Sequence, residues 1–247
     1  ITLKASKCLL NIKIDVTNSD AAFSIVGQSN TAGGDSQETI ALNTENAVFS
    51  ISAGTLALSY LKLTRSEGIA SKDDGGCIKM TGSPILKLNY VVLEKCKTVN
   101  TKNGGAIWAS SSATIILANV DFQGCEASDG KGGAVYITGP DATLTATDTN
   151  FMKSKASIGG GIYADSNSMI ELTKVIFESN TATYRGGALY MGQSSIVNIN
   201  NGVEFRSSNK ATGNTAQLWK HYPTASLKFI TCSQNELMKS TGINSKI

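Results

Sequence analysis

One five-residue phrase recurs along this chain of 247 residues: two glycines, a small residue, an aliphatic residue and an aromatic residue. Full copies occupy residues 104–108, 132–136, 159–163 and 186–190, and a weaker copy occupies residues 75–79. Successive copies begin 27 to 29 residues apart. A fixed period of this length indicates a stack of similar coils, and it constrains the fold more strongly than any local propensity.

A second phrase lies between the glycine pairs, in constant order with them. It is a Phe or Leu followed three residues later by a small residue that can form hydrogen bonds. Its copies are Leu63–Ser66, Leu93–Cys96, Phe122–Cys125, Phe151–Ser154, Phe177–Asn180 and Phe205–Ser208. The small residue predicts a hydrogen-bonded ladder inside a turn, where buried backbone groups need partners.

Aligning the copies gives columns with a period of two. The apolar column contains Phe23, Phe49, Ile78, Ile107, Val135, Ile162, Leu189 and Leu218, and a second apolar column follows two residues later. Side chains alternate along a strand, so both columns face inward and the column between them faces outward. That outward column begins with Ser24, Ser50 and Lys79 and continues as an aromatic stripe, Trp108, Tyr136, Tyr163, Tyr190 and Trp219.

The same alternation recurs before the second phrase, for example at Leu56 and Leu58 and then at Leu61. Three short strands per coil predict an all-β parallel β-helix, a solenoid of roughly eight coils. We expect one solenoid domain over residues 1–232, with degenerate coils at 1–48, regular repeats at 49–217, a terminal coil at 218–232 and a polar tail at 233–247. The chain opens in a strand rhythm without Met, which favours a segment of a longer protein.

The glycine pairs are predicted to form the turns between strands, because glycine adopts backbone angles that other residues avoid. The assigned turn glycines are Gly75, Gly76, Gly104, Gly105, Gly132, Gly133, Gly160, Gly161, Gly186 and Gly187. A phosphate-binding loop is the alternative, but that motif needs a helix after the glycines and here a strand follows.

Composition excludes several classes of function. The 22 basic and 19 acidic residues are scattered and give a net charge of +3, so nucleic acid is not expected as a partner. No apolar stretch is long enough to span a bilayer. Five cysteines fit no metal-binding spacing, and we expect no metal and no cofactor. Cys96 and Cys125 fall in adjacent coils and are the predicted disulfide pair, with two reduced cysteines as the alternative.

Catalysis by a β-helix needs clustered carboxylates, often with a basic residue. The candidates are Asp73, Asp74, Asp121, Asp129 and Asp165, which do not align in neighbouring coils. Arginine is scarce, and the single histidine, His221, lies near the degenerate end of the stack. The sequence therefore predicts a protein that is not an enzyme, and assigns no catalytic residue.

The two phrases together resemble the repeat of the chlamydial polymorphic membrane proteins, whose motifs are GGA(I/L/V) and FxxN. Residues 104–107, 132–135 and 186–189 match the first motif in full, and Phe177–Asn180 matches the second. The resemblance covers about residues 49 to 232, and similar repeats occur in surface proteins of protists. It implies a right-handed, pectin-lyase-like β-helix that is extracellular or displayed on a cell surface and used for adhesion.

Three functions follow as expectations. The first is an adhesin-like module that binds a protein or a glycan, with the aromatic stripe as its contact face, because such rings stack on sugars and anchor partners. The second is a structural scaffold whose partners are neighbouring chains of an assembly. The third, less favoured, is a polysaccharide lyase or hydrolase. For the stripe itself the alternative is structural: stacked rings that stabilise a strand surface covered by a loop.

Overall fold

The computed structural model describes residues 7–10, 13–27, 38–206, 208–212, 218–220 and 226–229. These residues form a parallel β-solenoid of about six turns, without a helix. Six regular coils begin at Phe49, Ile78, Ile107, Val135, Ile162 and Leu189. The sequence predicted roughly eight coils. The number of regular coils is smaller because the strands before Phe49 and after Leu189 extend the stack without completing regular coils.

The strands are numbered β1 to β23 in chain order and form three sheets along the stack. The first sheet has eight strands: β2 (Ile14–Val16), β5 (Phe49–Ile51), β7 (Ile78–Met80), β9 (Ile107–Ala109), β12 (Val135–Thr138), β15 (Ile162–Asp165), β18 (Leu189–Met191) and β22 (Leu218–Lys220). The third sheet has four: β11 (Glu126–Lys131), β14 (Lys155–Ile158), β17 (Thr181–Arg185) and β21 (Lys210–Ala211).

The second sheet has eleven strands, and five of them are long. It contains β1 (Lys7–Leu10), β3 (Ala22–Val26), β4 (Glu38–Leu42), β6 (Thr55–Arg65), β8 (Ile85–Glu94), β10 (Thr114–Gln123), β13 (Thr143–Met152), β16 (Met169–Glu178), β19 (Ile196–Ile199), β20 (Glu204–Phe205) and β23 (Ser226–Phe229). The predicted second and third strands of a coil are thus two halves of one strand, and the third sheet was not predicted.

A single residue with positive φ separates the two halves of each long strand. These corner residues are Tyr60, Tyr90, Asn119, Asp148 and Lys174, with φ between 47° and 55°. Two consecutive side chains face outward there, as at Ser59 and Tyr60, before the alternation resumes with Leu61 buried. The corner lets one strand contribute to two faces of the solenoid.

The core is a set of apolar ladders that run the length of the stack. Phe49, Ile78, Ile107, Val135, Ile162 and Leu189 are fully buried, as the inward column predicts. The phenylalanines of the second phrase stack face to face, with ring centroids 4.8 Å apart for Phe122 and Phe151 and 5.0 Å apart for Phe151 and Phe177. Burial of each coil's inner face therefore depends on its neighbours.

The predicted register before Phe49 is wrong. Ile14 and Val16, not Phe23 and Ile25, align with Phe49 and Ile51 in the first sheet. Phe23 instead pairs with Leu56 in the second sheet. The Phe-Ser-Ile string occurs at both 23–25 and 49–51, and the N-terminal coil is longer than the regular period. Counting one period back from Phe49 therefore reaches the similar Phe-Ser-Ile string at residues 23–25, which lies in the second sheet and not in the first.

A hydrogen-bonded ladder occupies the turn after the phenylalanines. The Asn180 side chain accepts from the Ser154 N–H (3.0 Å) and donates to the Phe151 carbonyl (2.7 Å). The next rung is Asn209, whose Oδ1 accepts from the Asn180 N–H at 3.0 Å. The sequence alignment placed Ser208 on this rung, one residue too early, because the last regular coil has an extra residue in this turn.

The predicted Cys96–Cys125 disulfide is also wrong. Cys96 is bonded to Cys77, with a Cα–Cα distance of 5.6 Å, and Cys125 is a buried free thiol. Cys77 directly precedes the first-sheet strand of a coil and Cys96 follows the second-sheet strand of that coil, so the bond crosses one coil instead of joining two. In the next coil the position of Cys77 is taken by Ala106, whose carbonyl accepts from the Cys77 N–H, so Cys125 has no cysteine across from it. Burial raises the pKa of the Cys125 thiol to about 12.

A digest without reductant tests this pairing. We expect mass spectrometry to find a Cys77–Cys96 linked peptide, and Cys125 to react with an alkylating reagent only after unfolding. Reduction should lower the free energy of unfolding by about 3 kcal/mol, since the bond closes a loop across 19 positions of the sequence. A link between Cys96 and Cys125 would contradict the structure. Cys232, and the tail at 233–247, lie outside the described residues.

Candidate functional site

The glycine pairs pack where adjacent coils approach most closely. The first glycine of each pair has positive φ, for example 66° at Gly104 and 70° at Gly132. The second lacks room for a side chain: a Cβ at Gly133 would lie 2.1 Å from the Gly160 carbonyl oxygen of the next coil. In the triple glycine, Gly159 has the positive φ and Gly161 occupies the small-residue position. The sequence assignment of Gly160 and Gly161 as the pair was therefore one residue late.

The aromatic stripe forms a stacked ladder on the first sheet. Neighbouring ring centroids are 6.4 Å apart for Trp108 and Tyr136, 5.0 Å for Tyr136 and Tyr163, and 4.8 Å for Tyr163 and Tyr190. Trp108 and Tyr136 are partly buried, whereas Tyr163 is 3% and Tyr190 5% exposed. The strand of Trp219 pairs with that of Tyr190, but the Trp219 side chain lies outside the described residues.

The buried end of the ladder is held by polar contacts within the chain. The Tyr163 hydroxyl donates to Asp165 Oδ2 at 2.8 Å, and Lys131 Nζ lies 4.9 Å from the Tyr163 ring centroid. Burial, and then the hydrogen bond and charge of Asp165, raise the pKa of Tyr163 above its usual range. Ile158 of the third sheet packs against the Tyr163–Tyr190 pair. The third sheet therefore helps to cover the rings, which agrees with a structural role for this half of the stripe.

The Tyr163→Ala variant measures that role. We expect its free energy of unfolding to fall by about 3 kcal/mol, because a buried ring stacked on both sides is removed. Tyr184→Ala is the matched control, since Tyr184 is 60% exposed, and its effect should be about 0.5 kcal/mol. Urea denaturation compares the two. Equal effects would show that the ladder contributes nothing to stability, and a triple Trp108, Tyr136 and Tyr163 to Ser variant would then be a clean probe of binding.

Four of the five carboxylates that the sequence singled out accept hydrogen bonds from the solenoid itself. Asp74 accepts from the Asn103 N–H at 2.8 Å, and Asp121 accepts from the Asn150 amide at 2.7 Å. Asp165 accepts backbone N–H groups of Ser166 and Gln193 in addition to the Tyr163 hydroxyl. Asp73 accepts from the Ala47 N–H at 3.3 Å, and Asp129 is exposed. Within the described ranges, no three His, Cys, Asp or Glu side chains form a group that could hold a metal ion. His221 lies outside these ranges.

Arg65 has a structural role that the repeat pattern did not reveal. It is 3% exposed, and its guanidinium donates to the carbonyls of Gly76 (2.5 Å), Thr44 (2.5 Å) and Asn46 (2.6 Å). Burial lowers the pKa of Arg65 to about 10, against the opposing effect of the Asp73 charge. The aligned residues of the next two repeats are Lys95 and Gly124, so the residue type is not kept along this column and nothing in it marked Arg65 as buried.

Tyr60 and Tyr90 are two aromatic residues that the sequence analysis left unassigned. They occupy the corner of the second sheet, with ring centroids 5.1 Å apart and planes inclined by 6°. Tyr90 is 44% exposed. Their spacing of one repeat was visible in the sequence, but a corner position could not be recognised before the two halves of each long strand were seen to be continuous.

Comparison with known proteins agrees with the repeat resemblance. None of the described residues forms a helix long and apolar enough to cross a membrane. No curated protein and no solved structure shows significant similarity to this chain. The model of the Chlamydia polymorphic membrane protein (Chlamydia_PMP) repeat matches residues 174–192. This stretch contains the full second phrase at Phe177–Asn180 and a full glycine phrase from Gly186, so residues 174–192 match the polymorphic membrane protein repeat within a parallel β-solenoid.

Proposed function

We propose that this chain is the solenoid segment of an extracellular or cell-surface protein, and that it acts by contact with a partner instead of by catalysis. The observation that carries the proposal is the match of residues 174–192 to the polymorphic membrane protein repeat, in a chain whose fold repeats that unit. Stacked coils give long, flat outer faces, which suit extended contacts with a protein, a glycan or a neighbouring chain.

The engagement of the candidate acids supports a role without catalysis. A general acid or base must reach a substrate proton with a carboxylate that is free to exchange it. Asp74, Asp121 and Asp165 are instead each hydrogen-bonded to the adjacent coil or turn. Three of the five candidate acids of the lyase or hydrolase alternative are therefore already engaged within the solenoid.

The two contact functions to compare are adhesin and scaffold, and the exposure of the aromatic ladder limits where a partner of either kind could bind. Tyr163 and Tyr190 are covered by their own chain, so among the four described rings of the ladder a contact would use Trp108 and Tyr136. Lys79 Nζ lies 5.9 Å from the Trp108 ring centroid at that end. The adhesin is favoured, because a second aromatic pair, the partly buried Tyr60 and the exposed Tyr90, lies on the second sheet, away from the ladder.

Beads coated with the folded chain test the contact function. We expect saturable adhesion to cell surfaces that soluble chain competes away. Beads coated with the Ile115→Asp variant, which places a charge at a fully buried position and should not fold, should not adhere. If the chain is a scaffold, the beads should instead aggregate with one another or bind only soluble copies of the chain. Incubation with acidic polysaccharides, followed by size-exclusion chromatography, should show no depolymerisation. Shortened chains would contradict the non-enzymatic proposal.

A further inference from the structure

The chain contains two Asn-Gly pairs, at residues 103–104 and 201–202. In this dipeptide the asparagine side chain reacts readily with its own main chain, because glycine has no Cβ to keep the reacting atoms apart. The glycine nitrogen attacks the side-chain carbonyl carbon, so the reaction depends on how firmly the fold holds that nitrogen. Because the two pairs share one sequence, a difference in their reactivity comes from the structure around them.

The first pair is held by bonds to the neighbouring coils. The Gly104 N–H donates to the Lys131 carbonyl at 2.9 Å, and Gly104 is buried. The Asn103 side-chain oxygen accepts from the Lys131 N–H at 3.0 Å, and the Asn103 N–H donates to Asp74 at 2.8 Å. The glycine nitrogen reaches the side chain only when these bonds break and the coils separate. We therefore expect Asn103 to be protected in the folded chain.

The second pair lies at an irregular corner of the second sheet, and both of its residues are exposed. Residues 200–203 form this corner, whereas residues 173–175 form the corresponding corner of the preceding coil, so the path is one residue longer. The extra residue interrupts the long strand between β19 and β20, and Gly202 has a φ of 74°. This corner therefore lacks the continuous strand that constrains the regular coils.

The two pairs differ at the glycine nitrogen. In both of them the asparagine main-chain carbonyl accepts from an N–H of the preceding coil, at 2.9 Å in the first pair and 2.8 Å in the second. The Gly104 N–H is bonded to the next coil, but within the described ranges the Gly202 N–H has no backbone acceptor. The Gly202 nitrogen is therefore not held by a second coil, and the exposed Asn201 side chain is free to rotate towards it.

We propose that Asn201 is a site of spontaneous deamidation. The Gly202 nitrogen forms a bond to the Asn201 side-chain carbonyl carbon, and the amide group leaves as ammonia with the proton of that nitrogen. The product is a cyclic imide, which water opens at either of its two carbonyl carbons. One opening gives aspartate, and the other gives isoaspartate, in which the main chain runs through the former side chain. Water is the only co-reactant, and the reaction proceeds whether or not the chain binds a partner.

Either product places a carboxylate beside Lys174. The Lys174 N–H donates to the Asn201 carbonyl at 2.8 Å, and Lys174 Nζ lies 3.7 Å from Asp148 in the preceding coil. In isoaspartate this same carbonyl becomes part of the free carboxylate. Lys174 then has an acidic group in the coil on each side, so we expect the modified corner to keep its fold. Older chains differ from new ones by one negative charge at this corner.

Incubation of the folded chain at neutral pH, with peptide mapping over time, tests the site. We expect the mass gain of deamidation to accumulate at Asn201, and conversion of Asn103 to be slower by about tenfold or more, because its coils must first separate. In denaturant, where neither glycine is constrained, the two pairs should convert at similar rates. Asn198 and Asn200, which are not followed by glycine, give the background in the same peptide.

Two variants at this position identify the product. Asn201→Asp carries the added charge from the start, whereas Asn201→Gln keeps the amide and would have to form a larger, less favourable ring. Both replace an exposed side chain, so their melting temperatures should match that of the wild type. On ion exchange, we expect aged wild type to acquire an acidic species at the position of Asn201→Asp, and aged Asn201→Gln to acquire none.

Three results would overturn the inference. Asn201 that stays intact in the folded chain but converts in denaturant would show that the corner protects it. Conversion of Asn103 as fast as Asn201 in the folded chain would show that the coil contacts give no protection. The same acidic species in aged Asn201→Gln would place the modification at another residue.

Discussion

Replacing Ile115 by Asp is expected to abolish cooperative folding of the solenoid. Ile115 is fully buried in β10, where it lies between Leu86 and Leu144 of the adjacent coils. A carboxylate at this position would meet apolar side chains on both sides and find no partner for its charge. The expected loss is about 5 kcal/mol or more, comparable to the whole stability of a small domain.

The adjacent residue provides a control of the same type. Ile116 is 38% exposed on the outer face of the same strand, beside Lys87 of the preceding coil. Ile116→Asp should change the free energy of unfolding by about 1 kcal/mol or less, because its carboxylate stays in water next to a lysine. Circular dichroism during thermal unfolding distinguishes a cooperative from a non-cooperative chain. Similar damage from both variants would contradict the alternation of inward and outward side chains.

The second large effect is expected at Gly133, whose replacement by Ala should cost about 3 kcal/mol or more. A Cβ there would lie 2.1 Å from the Gly160 carbonyl oxygen and 2.7 Å from the Lys155 backbone nitrogen. Both obstacles are backbone atoms of the next coil, so the clash is relieved only by separating the coils. The same replacement tests whether the glycine pairs are contact points between coils.

The Gly124→Ala variant distinguishes the cost of a steric clash between coils from the cost of a backbone conformation that favours glycine. Gly124 has a φ of 61°, and an added Cβ would have no neighbour within 4 Å. Its substitution should therefore lower the free energy of unfolding by only about 1 kcal/mol, the effect of holding alanine at positive φ. Urea midpoints of the two variants give the comparison. If Gly124→Ala is as damaging as Gly133→Ala, positive φ and not coil contact determines the requirement for glycine.

The candidate site was only partly visible in the sequence. The period aligned Trp108, Tyr136, Tyr163 and Tyr190 in one outward column, and the structure stacks these four rings. A covered stripe was one of the two alternatives that the sequence left open, and only the structure shows that Tyr163 and Tyr190 are buried against Ile158 of a sheet that begins at the third regular coil. Tyr60 and Tyr90 were one repeat apart in the sequence, but their shared corner depends on positive φ angles that no pattern of side chains revealed.

The sequence alone determined the repeat, the inward columns and the parallel solenoid, because these follow from a period and an alternation that every coil shares. Tertiary structure decided the features that depend on contacts across a coil. Cys96 bonds to Cys77 and not to Cys125, because one coil brings its glycine phrase and the end of its second phrase together. Ile14 aligns with Phe49, because a longer first coil shifts the repeat by more than one period. Periodicity specifies which residues stack along the solenoid, whereas the length and path of each individual coil decide which residues face each other across it.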